Sequence, residues 1–262
     1  MAAWVTSGVL GAIIERCAQF VVHSCQLPVN CSVGFGYNPA HGCVMFQDRR
    51  DAGRILAQLV ATLPDLKDAV VLGLPRGGVP VSFEVARACN LPLDILLVRK
   101  LGAPGQRELA MGAIASGGMT VLNHDILHAL RVPDQVLNAV IEHELRSLER
   151  MAIAYREGRP PLEVAGRAVI LVDDGLATGA SMRAAARAVR PRARKVIIAV
   201  PVGAKSTCSD LRSEADRVIC AEVPEPLEAV GRFYRNFEPT TDEEVRSLLA
   251  EARANAPPSP HP

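Results

Sequence analysis

The stretch that most restricts what this chain can fold into is VILVDDGLATGAS at residues 169–181. Four consecutive apolar residues with no polar alternation describe a strand buried on both faces. Two carboxylates stand at its carboxyl end. A glycine-bearing turn follows and opens into a helix over 181–190. A strand, turn and helix of this kind belong to an open parallel sheet covered by helices on both faces.

The rest of the chain from residue 46 repeats that alternation. Ala52, Ile55, Leu56, Leu59 and Val60 fall on one face of a helix over 48–63. AVVLGL at 69–74 and LDILLV at 93–98 read as buried strands, with a helix over 79–89 between them. Two glycines, a proline and charged residues mark 100–109 as a loop. Residues 111–115 and 119–122 flank Ser116-Gly117-Gly118 as a hairpin. A long amphipathic helix is expected over 133–158, with Val136, Val140, Leu145, Leu148 and Met151 facing the core. Strands over 195–200 and 217–221, and helices over 206–215 and 242–252, complete the pattern. The expected class is α/β with a mostly parallel sheet. Ligands in such sheets bind beyond the carboxyl ends of the strands, which directs attention to the loops after Leu74, Val98, Val172 and Val200.

Composition removes several alternatives. Of 262 residues, 49% are hydrophobic and 22% charged, enough for a core that needs neither disulfides nor metal. Basic and acidic residues number 29 and 28, so nucleic-acid binding through bulk positive charge is not expected. The apolar N-terminal stretch is interrupted by Glu15 and Arg16 before it reaches the ~18 residues of a membrane span. Seven cysteines, none in a C-x-x-C pair, point to reduced thiols and a cytoplasmic protein. Residues 1–44 are expected to be peripheral to the fold, 45–252 to form the domain, and 253–262 to be a disordered tail. The alternative for the first segment is a helix docked on the body. His124, His128 and His143 have no metal-like partner set.

The chemistry at 169–181 suits a sugar phosphate. Glycines let backbone N–H groups turn inward, the following helix presents its positive N-terminus, and Thr178 and Ser181 add hydroxyl donors. Asp173 and Asp174, one step upstream, are acceptors for vicinal hydroxyls and stand where positive charge on a sugar would be stabilised. Neither G-K-[ST] nor G-x-G-x-x-G is present. A strand-to-helix turn with ordinary caps is the alternative. LPRGGVP at 74–80 is a second candidate: Gly77 and Gly78 permit close backbone approach to an anion, and Arg76 offers a bidentate fork. The alternative is a glycine-rich turn with a surface arginine. Arg99 and Lys100 head the third, where the alternative is ordinary surface charge.

All thirteen positions of 169–181 fit the phosphoribosyl pyrophosphate motif, and the chain over 46–250 resembles the type I phosphoribosyltransferases. It is most similar to a branch carrying F-x-D-R-x-x-A-G, here Phe46, Asp48, Arg49, Ala52 and Gly53, together with L-P-R-G-G-V-P. The resemblance implies an open, mostly parallel five-stranded core sheet with helices on both faces and a small hood. It implies transfer of the 5-phosphoribosyl group from phosphoribosyl pyrophosphate to a nitrogenous base or related amine, with release of pyrophosphate. Asp173 and Asp174 would hold the ribose and favour the cationic sugar. Gly175, Leu176, Ala177, Thr178, Gly179, Ala180 and Ser181 would hold the 5′-phosphate. Arg76, Gly77 and Gly78 would hold the pyrophosphate, with a cis peptide between Pro75 and Arg76, and Arg99 and Lys100 would assist its departure from a loop that closes over the site. Mg²⁺ would be carried largely by the substrate, near Asp173 and Asp174, with no protein ligand assigned. The implied partners are phosphoribosyl pyrophosphate and a small-molecule acceptor, with no membrane or nucleic acid, in a homodimer. An aromatic ring from Phe233, Tyr234 or Phe237 would stack on the acceptor, or else pack the C-terminal helix to the body. A regulator of the same fold that binds phosphoribosyl pyrophosphate without catalysis is the alternative function. A phosphatase with paired aspartates would show D-x-D, which 173–174 does not.

Overall fold

The computed structural model describes residues 37–38, 43–103, 106–116 and 118–255. In chain order these form β1 (Tyr37–Asn38), β2 (Cys43–Val44), α1 (Arg49–Ala61), β3 (Val70–Gly73), α2 (Gly78–Cys89), β4 (Leu93–Ile95), β5 (Val98–Ala103), β6 (Gln106–Ala115) and β7 (Met119–Leu122). They continue with α3 (His124–Leu130), α4 (Asp134–Arg156), β8 (Ala168–Val172), α5 (Ala180–Val189), β9 (Lys195–Val202), α6 (Lys205–Asp210), β10 (Arg217–Glu222) and α7 (Asp242–Ala254). The expectations for residues 1–44 and for the tail fall almost wholly outside the described residues. α7 itself runs two residues past the expected domain limit, to Ala254.

Five strands form the core sheet in the order β10-β9-β8-β3-β4, every pair parallel. Alternation along these strands divides the core. Val71, Ile170 and Ile197 pack with α1, α2, α4 and α7, whereas Val70, Val169, Leu171, Val196 and Ile198 pack with α5 and α6. All eight are fully buried, each worth about 1.5–3 kcal/mol against exposure. That double covering is why the strands read as unbroken apolar runs.

The hood contains the expected hairpin, with β6 paired to β7, but its first strand differs from expectation. β5, β6 and β7 form a separate antiparallel sheet, so the described residues 100–103 and 106–109 lie in strands where a loop is expected. Register shifts on either side of Gly102 mark a bulge there, and Leu101, Met111 and Ile114 are buried along the ladder. The glycine that suggested a loop accommodates the bulge. The core strand at 93–98 stops at Ile95 for the same reason: Val98 already belongs to the hood. On α4 the buried stripe is Leu137, Leu148, Ala152 and Tyr155, while Val136 and Met151 are exposed. Of the expected face, Leu148 is buried and Val140 and Leu145 pack against the core from its edge, so the face departs from expectation only at Val136 and Met151. α3 was not anticipated, and 206–215 ends as a short 3₁₀ turn after α6.

A buried ion pair ties α4 to the sheet. Arg156 Nε donates to Asp94 Oδ1 at 2.8 Å and Arg156 Nη2 to the Ile95 carbonyl at 2.9 Å. The Ile95 and Leu162 amides complete the carboxylate's shell. Breaking such a pair leaves a buried charge without compensation. Asp94→Ala is therefore expected to lower stability by about 3 kcal/mol in urea unfolding, with Asp94→Ala/Arg156→Met recovering part of the loss.

Candidate functional site

β3 and β8 are neighbours, with Gly73 opposite Val172, so the chain leaves the sheet at Leu74 and at Asp173 side by side. The Leu74 amide donates to the Val172 carbonyl at 2.9 Å, and the Gly78 amide to the Leu74 carbonyl at 3.0 Å. This brings the LPRGG turn against the acidic pair. A methyl at Gly78 would stand 2.7 Å from the Val172 carbonyl oxygen and 3.1 Å from Asp173 Oδ1, and one at Gly77 would run into the Asp174 carboxylate. Each glycine thus faces one acid. The Pro75–Arg76 peptide is cis.

The two acids have different surroundings. Asp173 Oδ1 accepts from the Asp174 amide at 2.9 Å. Burial, and next the charge of Asp174, hold the Asp173 carboxyl well above the usual carboxylate range, with the Asp174 amide and Arg49 pulling the other way. Asp174 Oδ2 accepts from Arg49 Nε at 2.8 Å, with side chains only 18% and 11% exposed. Arg49 Nη1 donates to the Glu238 carbonyl at 2.6 Å, and its guanidinium lies 3.9 Å from the centroid of the Phe237 ring. The Tyr234 hydroxyl donates to the Asp174 carbonyl at 2.6 Å. Burial pushes that hydroxyl far up, so it remains a donor.

The turn after the acids is pinned from behind. Leu176 donates to the Val202 carbonyl and accepts from the Ala204 amide, both at 2.9 Å, and Thr207 Oγ1 donates to the Ala177 carbonyl at 2.7 Å. Gly175 packs against Val230 too closely for a side chain. Gly179 caps α5 at φ +68°, a left-handed conformation that favours glycine. The Arg183 amide bonds to the Gly179 carbonyl at 2.8 Å, so the amides of Ala180, Ser181 and Met182 precede the first helical bond, at the positive end of the helix dipole. Ala177, Thr178 and Ser181 are exposed on that rim.

The structure therefore brings together Asp173, Asp174, Gly77, Gly78 and the 175–181 turn. The other cations lie with different partners. Arg76 faces Asp242 at 3.7 Å, and Asp242 also accepts from the Tyr155 hydroxyl at 2.6 Å. Arg99 is paired with Glu144 of α4 at 2.7 Å. Lys100, the next residue along β5, falls on the opposite face of that strand. Tyr234 is 5% exposed, its ring flanked by Phe46 and Phe237, so it is not open to stack on an acceptor. Phe233 and Tyr234 share a buried cluster with Phe46 and with Ala52 of α1. Arg49 is visible in the sequence only as a letter of F-x-D-R-x-x-A-G, and nothing in its local sequence gives it a partner.

A parallel sheet with a glycine-bearing turn and an acid pair at its switch point defines an open α/β domain of the kind that binds ligands beyond the carboxyl ends of its strands. Residues 47–234 match the family model described as the phosphoribosyl transferase domain, and the chain belongs to that family. A Mycobacterium tuberculosis protein provisionally named as a phosphoribosyl transferase is 47% identical over 209 residues, 79% of this chain. The chain spans about half the length of the curated relatives it matches, 47%. The crystal structure of the protein TT1426 from Thermus thermophilus superposes with a TM-score of 0.72 at 44% identity, covering 79% of this chain and 98% of that one.

A carboxyl whose pKa is raised by folding costs stability above its unfolded pKa and costs nothing below it. Asp173→Asn keeps the acceptor for the Asp174 amide and removes that cost. It is expected to stabilise the ligand-free protein at pH 7 but not at pH 3 in urea unfolding. Gly78→Ala places a methyl against backbone that cannot yield and should cost about 1–3 kcal/mol in the same assay.

Proposed function

We propose that the chain transfers the 5-phosphoribosyl group from phosphoribosyl pyrophosphate to a nitrogenous base or related amine, releasing pyrophosphate. The observation that supports this is the opposition of the glycine pair and the acid pair at the ends of two adjacent parallel strands. A substrate with a phosphate at one end and a pyrophosphate at the other needs two anion-binding turns with hydroxyl acceptors between them. The rim at Ala177, Thr178, Ala180 and Ser181 takes the 5′-phosphate through amides and hydroxyls. The backbone at Arg76, Gly77 and Gly78 takes the pyrophosphate, and Asp173 takes the ribose hydroxyls. Pyrophosphate leaves C1 with the bonding electron pair, the sugar becomes cationic, and the Asp173 carboxylate offsets that charge while the acceptor nitrogen attacks. Lys100 and Arg99 lie on the hood strand and supply positive charge as the leaving group departs.

Among the described residues no three His, Cys, Asp or Glu side chains converge on one point, and one of the two site carboxylates is committed to Arg49. That donor set fits a magnesium ion brought in on substrate oxygens, with Asp173 as its protein neighbour. When bound, the ion neutralises the pyrophosphate as a leaving group. A cytoplasmic homodimer is the setting proposed for the reaction.

The regulator reading draws on one observation: Arg76 and Arg99 are both paired with acids away from the acid pair. A panel of purine, pyrimidine and simple amine acceptors, incubated with phosphoribosyl pyrophosphate and Mg²⁺, separates the two. Transfer is expected to yield nucleotide and pyrophosphate in equal amounts, with Asp173→Ala lowering turnover about 100-fold or more. Binding with no turnover on any acceptor would favour the regulator, and absence of binding would overturn both.

A further inference from the structure

Adjacent carboxylates at a strand end are alike in sequence, but this fold treats them differently. Asp174 is held from three directions. Arg49 takes its Oδ2, Gly77 closes on its carboxylate, and Tyr234 takes its carbonyl. Among the described residues, the Asp173 carboxylate is bonded only to the amide of its own neighbour and lies against Gly78. The arginine responsible stands 125 residues earlier in the chain, in a motif that the phosphate and pyrophosphate turns leave unexplained.

That motif is now legible as a device for placing one guanidinium. Phe46 is fully buried beside Tyr234, and its backbone is laced to the C-terminal segment through Phe46 N–H to the Phe233 carbonyl and Arg235 N–H to the Phe46 carbonyl. Asp48 caps α1 by accepting from the Asp51 amide at 2.8 Å. Arg49 is thereby the first residue of α1 and is aimed at the acid pair. Ala52 is buried beneath it, and Gly53 lets α1 approach the Val81 carbonyl.

We infer that Arg49 is a positioning residue of this site, which fixes Asp174 against Gly77 as an anchor between the two turns and leaves Asp173 as the acid that meets the sugar hydroxyls. Resting on the phosphoribosyl-transfer reading for its ligand, this assigns the acids separate tasks. Arg49 is not a free phosphate clamp: its Nε, its Nη1 and the face of its guanidinium are each engaged. Three simultaneous contacts from one planar group are within reach of arginine and not of lysine, whose ammonium is a point charge. Arg49→Lys therefore restores charge beside Asp174 but not the stack on Phe237. Arg49→Met keeps the length and the apolar contact and removes the charge. The charged and titratable groups facing this carboxylate are Arg49 from α1, Asp173 from the same turn, and Tyr234 from the C-terminal segment.

The test is titration calorimetry of the full chain with phosphoribosyl pyrophosphate and Mg²⁺. It compares the wild type with Arg49→Met, Arg49→Lys, Asp174→Asn and the Arg49→Met/Asp174→Asn double variant. Arg49→Met is expected to bind about tenfold more weakly or worse, and Arg49→Lys to fall between it and the wild type. The double variant should be no weaker than Asp174→Asn alone, because Arg49 acts through Asp174. Losses that add in the double variant would make Arg49 a direct ligand contact and overturn the inference, as would equal binding by Arg49→Met and Arg49→Lys. Should the wild type not bind phosphoribosyl pyrophosphate, the proposed function falls. The Arg49 inference is then decided in the ligand-free protein by the backbone amide resonances of Gly77 and Asp174. These must move in Arg49→Met and return part of the way in Arg49→Lys; unmoved resonances overturn it.

Discussion

Two glycines pressed against two carboxylates set the terms for everything around them. Gly77 and Gly78 approach Asp174 and Asp173 so closely that no β-carbon fits at either glycine. The approach is possible only because β3 and β8 are hydrogen-bonded neighbours that end together. Strand order is thus not incidental to the site. It places a glycine turn and a pair of carboxylates side by side, while the helices on both faces keep the ends of the strands free for the loops. The arrangement has an electrostatic cost, since adjacent carboxylates with limited solvent repel each other. Arg49 offsets the repulsion at Asp174, and Asp173 carries what remains.

The segment after β10 belongs to that compensation. Val230 packs on Gly175, the Phe233 carbonyl accepts from Phe46, Tyr234 bonds to the Asp174 carbonyl, and Phe237 with the Glu238 carbonyl orients Arg49. One run of chain therefore buttresses the 175–181 turn, the start of α1 and the guanidinium between them. Its aromatic content, which suggests a stacking platform when read as sequence, is spent on holding charged groups in place. The buried cluster of Phe46, Ala52, Val202, Phe233 and Tyr234 is the packing that makes this rigid.

The sheet is legible in the sequence because parallel strands covered on both faces leave continuous apolar runs, as at 69–74, 169–172 and 195–200. The acid pair and the turn after it are legible because their chemistry is local: strand, carboxylates, glycines and hydroxyls lie within thirteen residues. In the hood the hairpin at 111–122 is legible, but the strand before it is not, because Gly102 signals a loop and a bulged strand alike. The face of α4 is legible at Val140, Leu145 and Leu148 but not at Val136 and Met151, which periodicity places inward and the structure leaves exposed. Arg49 is out of reach for a different reason. Its partner, its stacking ring and its carbonyl acceptor all come from distant segments, and no spacing rule joins residue 49 to residues 174, 237 and 238.

Burial also sorts the cations by what a ligand can ask of them. The Arg49–Asp174 pair is largely shielded, and separating it would strand a charge in a poorly solvated place, which is costly. Arg76 with Asp242 and Arg99 with Glu144 are more solvated, at 53% and 49% exposure in the first pair and 42% and 25% in the second. Pairs of that kind contribute little and yield readily to a stronger anion. In the proposed reaction a pyrophosphate arriving at the LPRGG turn competes with single carboxylates for these arginines. Each exchange would loosen a tie to a helix outside the core sheet: α7 through Asp242, α4 through Glu144. Tyr155 is held up at about 12 by burial and by Asp242, so its hydroxyl stays a donor and keeps hold of Asp242 when Arg76 departs. In that reaction the fixed cation would hold the acid pair in place, while the more solvated ones would turn to the ligand and release the helices they tie.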